Sequence, residues 1–206
     1  MIHDFDTKFQ WSKGQAQQDD IHTLLSMIIG SLSVHPCPPA EDRNGNDYCA
    51  TLRRGATILI DAKNRAPGCS RYWRNGEPEL ALEFWSVMPD GKYHVTHPKT
   101  GWTLCEKKLT DLIFFKFAPQ DSKQVFLVSY QLLRIAFRRN AARWKHQFKV
   151  DIQDSGRWQS EAVFVPANEV LSAISAVSVA SLSTPNQNHA LTPAGNATAL
   201  RADHSS

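Results

Sequence analysis

The chain reads as an α/β protein with a mixed central β-sheet flanked by helices. Three observations carry that reading. Apolar residues recur at helical spacing near both ends of residues 12–146. Short runs rich in Ile, Val, Leu and Phe, bounded by Gly, Pro and polar residues, lie between them. The order helix, hairpin, further strands, helix, strand suits a layered α/β arrangement, and no internal repeat interrupts it.

The first helix is expected over 12–33, with Ser12 able to cap it and Ile21, Leu24, Leu25, Ile28 and Ile29 on its apolar stripe. Gly30 and the prolines 36, 38 and 39 end it, and 40–46 is polar and loop-like. Strands are expected at 47–52 and 56–63, joined by Arg53-Arg54-Gly55. A three-residue hairpin loop commonly closes with glycine, because that position takes positive φ. Residues 64–76 form a polar loop. The pattern over 77–85 fits a short helix or a strand equally, with Glu77, Glu79 and Glu83 assigned to helix surface. Short strands are expected at 92–96 and 102–105, stronger ones at 112–117 and 125–128, then a helix over 129–146 with Leu132, Leu133, Ala136 and Phe137 inward. Residues 162–166 make a last strand, followed by a short helix. From about 183 the chain is Ser, Thr, Ala, Asn and Pro, a composition that buries too little to order itself. One domain over 1–182 with a flexible polar tail over 183–206 is therefore expected.

Composition narrows the function classes. The net charge of +3 is too small for a uniformly basic nucleic-acid binder, so any such surface must come from local clustering. The four cysteines lack Cys-x-x-Cys spacing and histidine partners at zinc-site distance, as thiols in a reducing compartment do. No apolar segment follows a basic start, and no run reaches bilayer-spanning length, so a cytoplasmic protein with no membrane partner is expected. There is no Gly-x-x-x-x-Gly-Lys loop, no Gly-x-Gly-x-x-Gly and no Gly-x-Ser-x-Gly elbow, which removes support for nucleotide hydrolysis, dinucleotide redox and serine-hydrolase chemistry.

The sharpest motif is Thr57-Ile58-Leu59-Ile60-Asp61-Ala62-Lys63. Alternate strand residues share a face, so Asp61 and Lys63 project together. A tight turn pairs Leu52 with Ala56, and continuing that register sets Asp47 opposite Asp61. Opposed residues lie roughly 5 Å apart at Cβ, a gap one metal can bridge. A one-residue slip would put the acids on opposite faces, so the turn decides the matter. Two carboxylates and a lysine suit a divalent metal and phosphodiester cleavage: Mg²⁺ takes hard oxygen ligands and keeps several waters. The plain competing reading is a surface Asp–Lys pair on an ordinary hairpin, which contributes little.

Asp47, then Ile60-Asp61-Ala62-Lys63 after a hairpin, with an acidic helix before them, resembles the PD-(D/E)XK nuclease superfamily, whose fold is restriction-endonuclease-like. The resemblance covers the element order of most of 12–170, but its sharp part is three residues, and Asn46 stands where the family has proline. It implies Asp47 and Asp61 as ligands of Mg²⁺ (with Mn²⁺ as substitute), the Ala62 carbonyl as a third ligand, and Lys63 beside the attacking water and scissile phosphate. It implies a further acid on the first helix: Asp20, which shares a face with Leu24, is preferred to Asp19.

Arg65, Arg71, Tyr72 and Trp73 follow the lysine closely, and arginine with aromatics suits phosphate contact and base stacking. Arg134, Arg138, Arg139 and Arg143 make the densest basic stretch, suited to tracking a phosphate backbone. Long cationic side chains also simply cover apolar helix surface. The expectation is a metal-dependent deoxyribonuclease, with DNA as partner, RNA as the alternative substrate and a homodimer open to it. A non-catalytic nucleic-acid-binding or assembly protein of the same fold is the rival.

Overall fold

The computed structural model describes residues 19–65, 73–74, 76–117 and 124–183. These form a mixed α/β protein with two β-sheets and four helices. In chain order the elements are α1 (Asp19–Ile29), β1 (Ser33–Pro36), α2 (Pro39–Arg43), β2 (Tyr48–Thr51), β3 (Thr57–Arg65), β4 (Trp73–Arg74) and β5 (Glu77–Val87). There follow β6 (Lys99–Thr100), β7 (Leu112–Phe117), β8 (Gln124–Ser129), α3 (Tyr130–Gln147), β9 (Lys149–Asp154), β10 (Gln159–Pro166) and α4 (Ala167–Ser183).

The first sheet has the order β1-β2-β3-β7-β8. It is mixed: β3 and β7 run parallel, and every other neighbouring pair is antiparallel. The β2–β3 hairpin has the expected register, from Thr51 opposite Thr57 to Tyr48 opposite Ile60. Its turn closes with Leu52 N–H donating to the Ala56 carbonyl at 2.8 Å and Gly55 at φ 79°, a conformation glycine takes without steric cost. The second sheet, β4-β5-β10-β9 with β6 on β5, is antiparallel throughout.

Side-chain alternation on β7 separates two cores. Ile113, Phe115 and Phe117 join Leu80 and Leu82 of β5, Val163 and Val165 of β10, Leu133, Phe137 and Trp144 of α3 and Val170 of α4. Phe114 points the other way, to Leu25 of α1, Tyr48, Ala50 and Ile60. The face of β3 that carries Asp61 and Lys63 is the face of Ile113 and Phe115, their ladder partners.

Several expectations are corrected. The described part of the first helix starts at Asp19 and ends at Ile29; residues 12–18, Ser12 included, lie outside the described residues. Ile28, expected on its apolar stripe, is exposed. After Gly30 the chain turns into β1, because Ser33–Pro36 finds an open edge on β2. The segment 40–46 contains helix α2, entered at Pro39, whose fixed φ suits a first helical turn. Residues 77–85 are strand: Pro78–Leu82 is buried and pairs with β10. Glu79 is thereby buried and ion-paired to Arg74 at 3.0 Å, so these glutamates do not lie on a helix surface. Residues 92–96 are not a strand, and 102–105 is a turn in which Leu104 N–H donates to the Gly101 carbonyl. Strand β9, mostly polar and exposed, escaped the apolar pattern and is held by β10. The last helix is longer than expected, with 17 residues, and 184–206 lies outside the described residues. No described helix is long and apolar enough to cross a membrane.

Candidate active site

Strand β2 begins at Tyr48, one residue after Asp47. Asp47 N–H still donates to the Ile60 carbonyl, at 2.9 Å, and its own carbonyl accepts from Cys37 N–H at 2.9 Å. Beyond that point β3 continues without β2 beside it. The Ala62 N–H therefore lacks a backbone acceptor, and Asp47 Oδ2 takes its place at 2.7 Å. The expected strand pairing of Asp47 with Asp61 is thus replaced by a side-chain bond one residue further on. Because a strand residue's N–H and carbonyl point to the same edge, the Ala62 carbonyl faces the side Asp47 occupies.

Asp61 is 1 % exposed. Its Oδ1 is 2.7 Å from Lys63 Nζ, and the ammonium of Lys63 also lies 5.0 Å from the Trp102 ring centre, within cation–π range. Its Oδ2 has no aligned hydrogen bond; the partner there is the Lys108 ammonium at 3.0 Å. Lys108 in turn donates to the Gly45 carbonyl at 2.7 Å, and its side chain is 7 % exposed. Lys108 carried no signal in the sequence, since Glu106-Lys107-Lys108 reads as a solvated charge run. Only the crossing from β5 to β7 delivers it.

That crossing is fastened from several sides. The Tyr130 hydroxyl lies 2.8 Å from the Trp102 carbonyl and 2.6 Å from that of Cys105. Asp111 Oδ2 accepts from Leu59 N–H at 2.8 Å, and Asp111 N–H donates to the Leu59 carbonyl at 2.9 Å. Thr110 Oγ1 donates to Oδ1 of the fully buried Asn46, beside Asp47. Trp102 N–H donates to Glu83 Oε2 at 2.9 Å. A side chain at Gly101 would overlap the Glu83 carbonyl, so glycine is needed where the segment crosses β5.

The two acids are electrostatically unequal. Burial first, and then the charge of Asp61, push Asp47 up to about 6, against the opposing Ala62 N–H and Lys63. Burial also works to raise Asp61, but Lys63 and Lys108 outweigh it and hold that carboxyl below its ordinary range. A like-charge pair with one member raised towards neutrality is what a cation placed between them would relieve.

The donors fit Mg²⁺ in kind: two carboxylates and a strand carbonyl, all hard oxygens. Among the described residues no Lys or Arg forms an ion pair with Asp47, whereas a cation reaching Asp61 must displace an ammonium. Among the described residues no group of three or more His, Cys, Asp or Glu could hold a metal ion.

The other expected residues are more scattered. Asp20 is the second residue of α1, and Arg65 ends β3; only their backbones are described. Arg71 and Tyr72 lie outside the described residues. Trp73 is half-buried, edge-on to Phe117 at 6.4 Å, and so packs at the rim of the core. Arg134 is half-buried, with its Nε buried and lacking a hydrogen bond. Arg138 pairs with Glu106 at 2.5 Å, Arg143 with Glu169 at 2.5 Å, and Arg139 is exposed. Two of the helix's four arginines are therefore engaged by glutamates. No family model, curated protein or solved structure matches this chain.

Proposed function

We propose that the protein is a Mg²⁺-dependent nuclease of restriction-endonuclease-like fold that hydrolyses DNA phosphodiester bonds. The observation that carries this reading is the gathering of Asp47, Asp61 and Lys63 around one end of the β2–β3 hairpin, with Asp47 tied to the Ala62 N–H between the other two. Asp47, Asp61 and the Ala62 carbonyl would hold the cation, which when bound supplies Lewis acidity and a more acidic water. Lys63 is the more exposed of the two lysines, 24 % against 7 %. It is suited to positioning the attacking water and neutralising charge on the phosphate. The half-buried Trp102 beneath it limits how far its side chain can wander. Plasmid cleavage in Mg²⁺ is expected to be lost in Lys63→Ala and Asp61→Ala, and activity surviving both changes would remove these residues from the mechanism.

One observation favours the rival, a non-catalytic nucleic-acid-binding or assembly protein: both oxygens of Asp61 already have ammonium partners within the chain. Under that reading, binding to DNA is salt-sensitive, indifferent to Mg²⁺ and retained in Asp61→Asn. RNA offered beside single-stranded and duplex DNA in the same assay separates an RNA-processing enzyme from a deoxyribonuclease.

A further inference from the structure

Lys108 is a cation built into the acid site. Its ammonium is nearly dry, 3.0 Å from Asp61 Oδ2 and 2.7 Å from the Gly45 carbonyl. Gly45, whose carbonyl it holds, sits at φ 82°, a conformation glycine takes without steric cost, and a Cβ there would lie 2.6 Å from Lys108 Nζ. Lys63 is different. It holds the other oxygen of Asp61, is 24 % exposed, and has a ring face rather than a carbonyl as its second neighbour. Rotation towards solvent frees Lys63, whereas Lys108 would have to give up both its burial and its carbonyl.

The geometry points to a site for a single divalent cation, with Lys108 as a fixed positive charge standing where a second ion would otherwise bind. Asp47 and Asp61 Oδ1, once Lys63 turns away, would hold the ion, while Asp61 Oδ2 stays with Lys108. Charge decides the number. Asp47 and Asp61 bring two negative charges, which one divalent ion balances. Lys108 already adds one positive charge, and a second divalent ion would leave a net of three in a mostly dry site. This inference rests on the reading that the two aspartates hold metal.

The test is titration of the full chain with Mn²⁺ at pH 8, counting bound ions from the paramagnetic resonance signal of the free ion. Wild type is expected to bind one Mn²⁺ per chain. Lys108→Met removes a charge beside a carboxylate and is expected to tighten binding by about tenfold to a hundredfold or to admit a second ion. Lys108→Arg keeps the charge and is expected to bind one ion with near wild-type affinity. Lys108→Gln serves in place of the methionine variant should that one fail to fold. Two ions on wild type, or Lys108→Met and Lys108→Gln indistinguishable from it, overturn the inference while leaving a metal site in place. One ion with the expected variant effects but intact plasmid supports the inference and removes the nuclease reading. No Mn²⁺ on wild type overturns both.

Discussion

At the scale of single residues, the site stores opposed electrostatic costs. Asp47 in the folded chain titrates at about 6, above the ordinary carboxylate range. A raised acid is protonated in the folded state at pH values where the unfolded chain has already ionised. Its cost is absent below about pH 4, grows between pH 4 and 6, and is complete above that, reaching roughly 3 kcal/mol. Asp61 is held low, so its contribution has the reverse sign: present above the ordinary range and lost as pH falls through its lower folded value. Asp47→Asn keeps an acceptor for the Ala62 N–H and removes the like charge. It is expected to stabilise the metal-free protein at pH 8 by about 1–3 kcal/mol in urea denaturation, while abolishing cleavage. Mn²⁺ affinity is expected to be flat above pH 7 and to fall below about 6 as Asp47 protonates, read by the same ion count. Asp61, Lys63 and Asp47 were legible because strand alternation and a glycine turn are local. Lys108 was not, since nothing local distinguishes it from a solvated lysine.

At the scale of elements, the site is a hairpin closed by a crossing segment. The hairpin could be read because its turn and alternation lie within one short stretch. The segment 101–111 could not, because its shape follows from distant partners: Glu83 on β5, Leu59 on β3 and Tyr130 on α3. The apolar run around Trp102 resembles a strand, yet the side-chain and turn bonds of Thr103, Leu104 and Cys105 bend it instead. Tyr130→Phe removes the hydroxyl that reaches the Trp102 and Cys105 carbonyls. The expected cost is about 1–3 kcal/mol, and amide exchange in 101–108 is expected to quicken more than in β7. Equal protection of 101–108 in the wild type and in Tyr130→Phe would show that this hydroxyl does not hold the lysine's loop. The ambiguity over 77–85 was resolved by β10, a neighbour whose paired residues lie 76 to 87 positions later in the chain.

At the scale of the whole molecule, the first sheet separates two cores, and the acid site lies on the side of the larger one. Phe115 sits beside Lys63 in the parallel ladder and 6.3 Å from the Trp102 ring, while Phe114 faces α1. Each truncation to Ala is expected to cost about 3–5 kcal/mol. Only Phe115→Ala withdraws support from the ring under Lys63, so cleavage per folded molecule is expected to fall in that variant and to hold in Phe114→Ala. By itself the sequence determined the α/β class, the hairpin register and the shared face of Asp61 and Lys63, because each follows from spacing along one or two neighbouring strands. Only the tertiary structure decided that β2 starts at Tyr48 and leaves Asp47 outside the strand, that 77–87 is strand, and that Lys108 reaches Asp61. Those outcomes depend on which segments meet across the fold, and contacts between residues far apart in the chain leave no periodic trace within it.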